Sequence, residues 1–259
     1  MNERVDDGGV VRAGPIKVDV IGEVDTMEKL IAFVTRATWK GHVAEGVQDV
    51  SDKRAKALCN NLTRAGHGAM TEFGYIVFDI RNVSRSLTHQ LVRHRMANYS
   101  QESQHYIDYD TITVVEPHGL TEEQEDLFYT ACRESLWNYQ ALIDTGIDFY
   151  IARQVLPNAT ASRICVGMNA RSLYNFFAIR CCHRNTPEIK ELAWVMLDVC
   201  RTHWPNLFAR AGPSCWQLGF CPEGMKSCGR YNIEVRSYGD IAKRMDIGWE
   251  LREYGREPF

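Results

Sequence analysis

At 259 residues, with hydrophobic side chains at 45% and charged ones at 24%, the chain can bury the core of one globular domain. Its formal charge of -3 offers no long-range attraction to polyanions, which argues against nucleic acid as a partner, and no stretch approaches the ~20 apolar residues that cross a bilayer. Nine cysteines, an odd number without a compact framework, are expected to be reduced thiols of a cytoplasmic protein.

The opening "MNERVDDGGVVRAGP" is acidic and Gly-rich and lacks the apolar run of a secretory signal, so residues 1–15 are expected to be a frayed tail. "IKVDVIG" alternates apolar and polar residues, as a half-buried strand does. In "DTMEKLIAFVTRATW", Leu30, Ile31, Phe33 and Val34 form a helical stripe. "SDKRAKALCNNLTRAGHG" has Ser51 as an N-cap, Leu58 and Leu62 one turn apart, and Gly66 as a stop. "FGYIVFDIR", rich in β-branched and aromatic residues, is the strongest strand signal. "VSRSLTHQLVRHR" reads as a short helix with Leu87 and Leu91 on one side, and "TITVVEP" as another strand.

Beyond that point the pattern is helical. Thr121 with Gln124 makes a capping box ahead of "EDLFYTACRESLWNYQALIDTG", which Gly146 closes. "DFYIARQVLP" is a shorter helix halted before Pro157. "SRICVGMNARSLYNFFAIR" reads as one long, partly buried helix. "TPEIKELAWVMLDVCRTHWP" has Thr186 as cap and Pro187 at its first position. These elements imply an α+β fold, a sheet of a few strands packed against several helices in a single domain over residues 16–210. Residues 211–259 are expected to be a C-terminal extension packed on that domain. Cys215, Cys221 and Cys228 lie there among Gly and Pro turns; the C-x2-C knuckle is absent and no fourth ligand is evident, so free thiols and no metal are expected.

The densest run of donors is "QLVRHRMANYSQESQHYI". Arg93, His94 and Arg95 cannot all face one way in a helix or a strand. Arginine suits bidentate contact with phosphate or with a planar acid-imide edge, and the Asn, Ser and Gln residues that follow add neutral donors. The set suits a large anionic ligand with polar heterocycles, such as a nucleotide or dinucleotide. The plainer alternative is a cationic helix C-terminus, worth ~0.3–1 kcal/mol, followed by an ordinary polar loop. No Gly-rich phosphate loop is present, so side chains would have to hold any phosphates.

"RHR" followed by seven residues and then Ser103 resembles the signature of flavin-dependent thymidylate synthases. "HGAMTEFGYIVFDI", "ARQVLP", "NARSLYNFFAIR" and "PEIKELA" resemble the family's other blocks, in the same order, and the likeness runs over roughly residues 16–210. It implies a homotetramer with sites shared between subunits, FAD as cofactor, NADPH as reductant and 5,10-methylenetetrahydrofolate as carbon donor for the conversion of dUMP to dTMP. It further implies FAD contacts from Thr71, Arg93, His94, Arg95, Gln101, Asn169, Arg171 and Asn175. The nucleotide would be bound by Gln90, Arg93, Gln101, Glu102, Ser103, Gln104, His105, Arg153 and Arg180. Arg180 and Ser103 would be catalytic, the first polarising the uracil ring and the second orienting the nucleotide.

His105 stands where the family usually has arginine, and Arg184, Asn185, Thr186 and Pro187 replace its usual "HAQW"-like stretch. Two alternatives therefore stay open: a methylase of UMP or a related uridine nucleotide, and a nucleotide-binding regulatory protein without catalysis.

Overall fold

The structure is a computed structural model that describes residues 8–22, 25–37 and 46–229. Its strands are β1 (Val10–Arg12), β2 (Lys17–Ile21), β3 (Tyr75–Ser84), β4 (Asn98–Gln101), β5 (Ile112–Val114) and β6 (Ala161–Asn169). The helices are α1 (Met27–Ala37), α2 (Asp52–Ala65), α3 (Arg85–Leu91), α4 (Glu122–Asp144), α5 (Phe149–Ala152), α6 (Ala170–Arg180), α7 (Pro187–His203), α8 (Pro205–Phe208) and α9 (Ser214–Leu218). The fold is α+β. One sheet has the order β2-β3-β6-β4, and β1 pairs with β5 in a parallel two-stranded sheet. The chain divides into two compact units, Met1–Asp19 with Phe78–Val166 and Val20–Val77 with Gly167–Phe259, the divisions falling inside or at the edge of strands.

In the first unit Val10, Ile112, Val114, Leu136, Tyr139 and Ala152 form a closed core. Residues 10–12, expected within a frayed tail, are thus a strand. Val10 is buried opposite Ile112, and backbone bonds from Ile112 N to Gly9 O (3.0 Å) and from Ala13 N to Val114 O (2.8 Å) flank the pairing. Helix α4 begins as read, with Thr121 and Gln124 in a reciprocal capping box. Thr121→Ala is expected to cost about 1 kcal/mol, measured as a lowered unfolding midpoint.

Three readings change. The stretch from Ala161 to Asn169 is strand β6, not the first half of a long helix. Ser162, Ile164, Val166 and Met168 are buried while Arg163, between the first two, is exposed, a period of two that β-branched residues fill well. The helix starts only at Ala170, where the Asn169 carboxamide oxygen accepts from Ser172 N at 2.8 Å. Helix α3 ends at Leu91, so Arg93-His94-Arg95 lie in a turn beyond it. Strand β4 went unread because "NYSQ" has no apolar alternation.

In the second unit, Leu173, Phe176 and Phe177 of α6, Ile189, Leu192 and Met196 of α7, and Leu207 and Phe208 of α8 are fully buried. The Glu28 carboxylate of α1 accepts from Asn206 N (2.9 Å) and Leu207 N (3.0 Å), satisfying first-turn donors of α8. Within residues 211–229, α9 packs on α6, and Ser214 Oγ donates to Ala178 O at 2.9 Å. Residues 1–7 of the expected tail, 38–39 of the first expected helix and 230–259 of the extension lie outside the described residues.

Candidate active site

The first unit carries the basic-polar segment. Ser84 Oγ accepts from Leu87 N at 2.9 Å and caps α3. At the other end the Tyr99 hydroxyl lies 2.9 Å from Leu91 O and 2.7 Å from His94 O, drawing the RHR turn back onto the helix. Burial pushes that phenol up to about 12, so it stays a proton donor at neutral pH. Arg93 and Arg95 stand exposed on either side of half-buried His94.

The donors that follow are partly committed within the fold. Gln101 Nε2 is 3.1 Å from both Thr88 Oγ1 and Ser162 Oγ. Glu102 pairs its backbone N with Arg163 O at 2.9 Å, and its Oε2 accepts from Arg163 N at 3.3 Å. Ser103 Oγ accepts from His105 N, turning the chain, and Gln104 is buried beside Tyr109. The His105 ring lies 4.9 Å from the rings of both Tyr106 and Tyr150, while Arg153 Nε donates to Tyr150 O at 2.9 Å. Tyr150 thus brings His105 and Arg153 together although 48 residues separate them in the numbering. Gln90 lies in the last turn of α3.

The second unit holds Thr71, Asn169, Arg171, Asn175 and Arg180. Thr71 is buried in the 3-10 turn Gly68–Phe73, its hydroxyl donating to Gly68 O at 2.7 Å. Ala170 N donates to Gly74 O at 2.7 Å and joins that turn to the start of α6. Thr71 and Arg171 line one cavity of about 260 Å³, together with Tyr174, Arg210 and Gln217. Glu72 Oε1 accepts from Arg171 Nη1 and orients it. Asn175, one turn beyond Arg171, is exposed on the same side of α6. Asn169 caps the start of α6 through its side-chain oxygen.

Arg180 is the last residue of α6 and half-buried. Its Nη1 donates to Asn185 Oδ1 at 3.2 Å, and Asn185 Nδ2 donates in turn to Ile179 O at 2.7 Å. Desolvation lowers the guanidinium pKa from a value so high that the group remains a cation. A partly dry, hydrogen-bonded cation of this kind can stabilise negative charge developing on a planar ring.

The family model described as "Thymidylate synthase complementing protein" matches residues 19–206. The chain belongs to the flavin-dependent thymidylate synthase family. The flavin-dependent thymidylate synthase of Geobacter sulfurreducens is 35% identical over 223 residues, covering 83% of this chain and 94% of the relative. That of Nitratidesulfovibrio vulgaris is 40% identical over 196 residues, covering 71% and 80%. Among solved structures, the UMP/dUMP methylase PolB from Streptomyces cacaoi bound with 5-Br dUMP shares the fold, with a TM-score of 0.65 at 22% identity over 76% of this chain and 95% of that one.

In this member of the flavin-dependent thymidylate synthase family, several supporting residues escape motif reading. Tyr99, Tyr150 and Asn185 act on Arg or His residues through a hydroxyl, a ring or an amide, and none has a spacing that announces it. Glu72 lies inside a quoted block, next to Thr71, so its pairing with Arg171 was the most accessible. Arg210 and Gln217 reach the Thr71 cavity from beyond the matched region.

Proposed function

We propose that this chain methylates dUMP at C5 to give dTMP, with 5,10-methylenetetrahydrofolate as carbon donor, FAD as cofactor and NADPH as reductant. Family membership over the blocks that hold Thr71, Arg93, Arg171 and Arg180 is the observation that carries this reading. The second-unit cavity fits the anionic part of FAD: two guanidinium groups, Arg171 and Arg210, face it with a buried threonine and an aromatic ring. When bound, FAD supplies the reducing equivalents that turn the transferred methylene into a methyl group.

The chain's own residues bind and polarise. Thr71, Arg171 and Arg210 hold the cofactor's diphosphate side, joined by Arg93, His94, Arg95, Gln101, Asn169 and Asn175. Gln90, Arg93, Gln101, Glu102, Ser103, Gln104, His105 and Arg153 hold the nucleotide, Ser103 orienting it through the turn that it closes with His105. Arg180 offers a fixed cation to the uracil ring, where it favours ionisation at the ring nitrogen and prepares C5 for the incoming carbon. No cysteine nucleophile is required. Burial pushes Cys59 up to about 12 and raises Cys181 and Cys200, which keeps these three as poorly reactive thiols. A homotetramer in the cytoplasm, with sites shared between subunits, completes the proposal; among the described residues no helix is long and apolar enough to cross a membrane.

The test takes the purified protein through colour and turnover. It is expected to be yellow, to bleach when NADPH is added without oxygen, and to turn over dUMP faster than UMP with the same folate. A coloured protein that prefers UMP would reassign the substrate. A colourless protein that takes up no added FAD would mark a nucleotide-binding regulator.

A further inference from the structure

Five of the nine cysteines line a single cavity of about 300 Å³ in the second unit. Cys181 is buried in the core, but Cys182, Cys215, Cys221 and Cys228 are half-buried or exposed, and all are free thiols. Three of these four lie on residues 215–228, and their spacing exceeds the short knuckle of common zinc sites. The missing fourth donor comes from the fold: Cys182, in the turn after α6, lines the same wall. The Cys215 thiol lies within electrostatic range of the other three.

The backbone is shaped for convergence. Gly219 (φ 74°) stands between Cys215 and Cys221, Gly224 (φ 55°) between Cys221 and Cys228, and Gly229 (φ 84°) follows. Each adopts a left-handed conformation that a side chain would disfavour, and each turns the chain so that widely spaced cysteines can face one point. Ser214 and the Trp216 ring, stacked on Trp194, hold the start of the segment, and Glu223 pairs with Arg184. From residue 214 to 229 only Phe220 is buried, so a cross-link would add to a light apolar packing. Disulfides are disfavoured where thiols are kept reduced, which leaves a metal as the available staple.

We propose that Cys182, Cys215, Cys221 and Cys228 bind one Zn²⁺ as a structural site. Zinc takes four thiolates tetrahedrally at about 2.3 Å, and each thiol releases its proton on binding. The resulting tetrathiolate carries a net charge of about -2; on the same wall Arg184, which also pairs with Glu223, and the His183 ring as a hydrogen-bond donor can offset part of it. As the side chains stand, no three such donors among the described residues are placed to hold an ion, so the proposal requires the four thiols to draw together round the cavity on binding. Cys182 O also accepts from Asn185 N (3.1 Å) and Asn185 Nδ2 (3.2 Å), so the metal braces the turn that holds Arg180.

Metal analysis of the full chain, purified without chelator, tests this independently of flavin content and turnover. About one zinc per chain is expected, unchanged in Cys165→Ser, whose thiol lies outside the cavity, and in His183→Ala. Cys182→Ser and Cys215→Ser should each retain about a tenth or less after dialysis. Because those variants could misfold, the unaltered protein is also titrated with a mercurial, and zinc release is followed with a metallochromic dye; release in step with thiol modification is expected. Absence of zinc even after supplementation, iron in its place, or loss in His183→Ala with retention in Cys182→Ser would overturn the assignment.

Discussion

Arg180→Ala is expected to lower kcat for dUMP methylation by about 10²–10³-fold, with a smaller change in KM. The size follows from where the guanidinium sits. It closes α6, is half-buried, and is held by Asn185, so in the proposed reaction it would meet the ring as a pre-oriented cation that need not reorganise. A lysine should recover little, because a point charge on a flexible stem cannot reproduce a planar fork held on an amide oxygen. Initial rates with labelled methylenetetrahydrofolate decide it; an undiminished rate in Arg180→Ala would remove the cation from the chemistry. Asn185→Ala, which leaves the cation but frees it, should give an intermediate loss.

Phe177→Ala is expected to cost about 3–5 kcal/mol of stability, the range for deleting a fully buried aromatic ring. Phe177 is 0% exposed, and its ring meets Phe176 at 5.6 Å and Phe208 at 6.2 Å, both edge-on, so one deletion loosens the contact of α6 with α8. Equilibrium unfolding in urea, followed by tryptophan fluorescence, measures it, and a loss below about 1 kcal/mol would show that the site collapses around the gap. Activity should fall with stability, since Arg180 stands one turn further along the same helix.

Much of this fold was legible because its causes are local. The Thr121–Gln124 box, Gly66 at φ 71° and Pro187 at the first position of α7 are decided by contacts a few residues apart, and each stands where the pattern put it. The family blocks were legible for another reason: they hold the side chains proposed to bind and polarise, and their motifs stand in order along the sequence.

What tertiary structure alone decided is equally specific. Val10 becomes a strand because Ile112 offers it a partner, and "SRICVGM" extends because it joins the β2-β3-β6-β4 sheet, although its apolar run suits a buried helix as well. His105 and Arg153 meet only through Tyr150, and Cys182 reaches Cys215, Cys221 and Cys228 only round a folded cavity. Short-range sterics and capping are written into neighbouring residues. Pairings across long separations gain their energy only after the chain has closed on itself, so no window of sequence contains them.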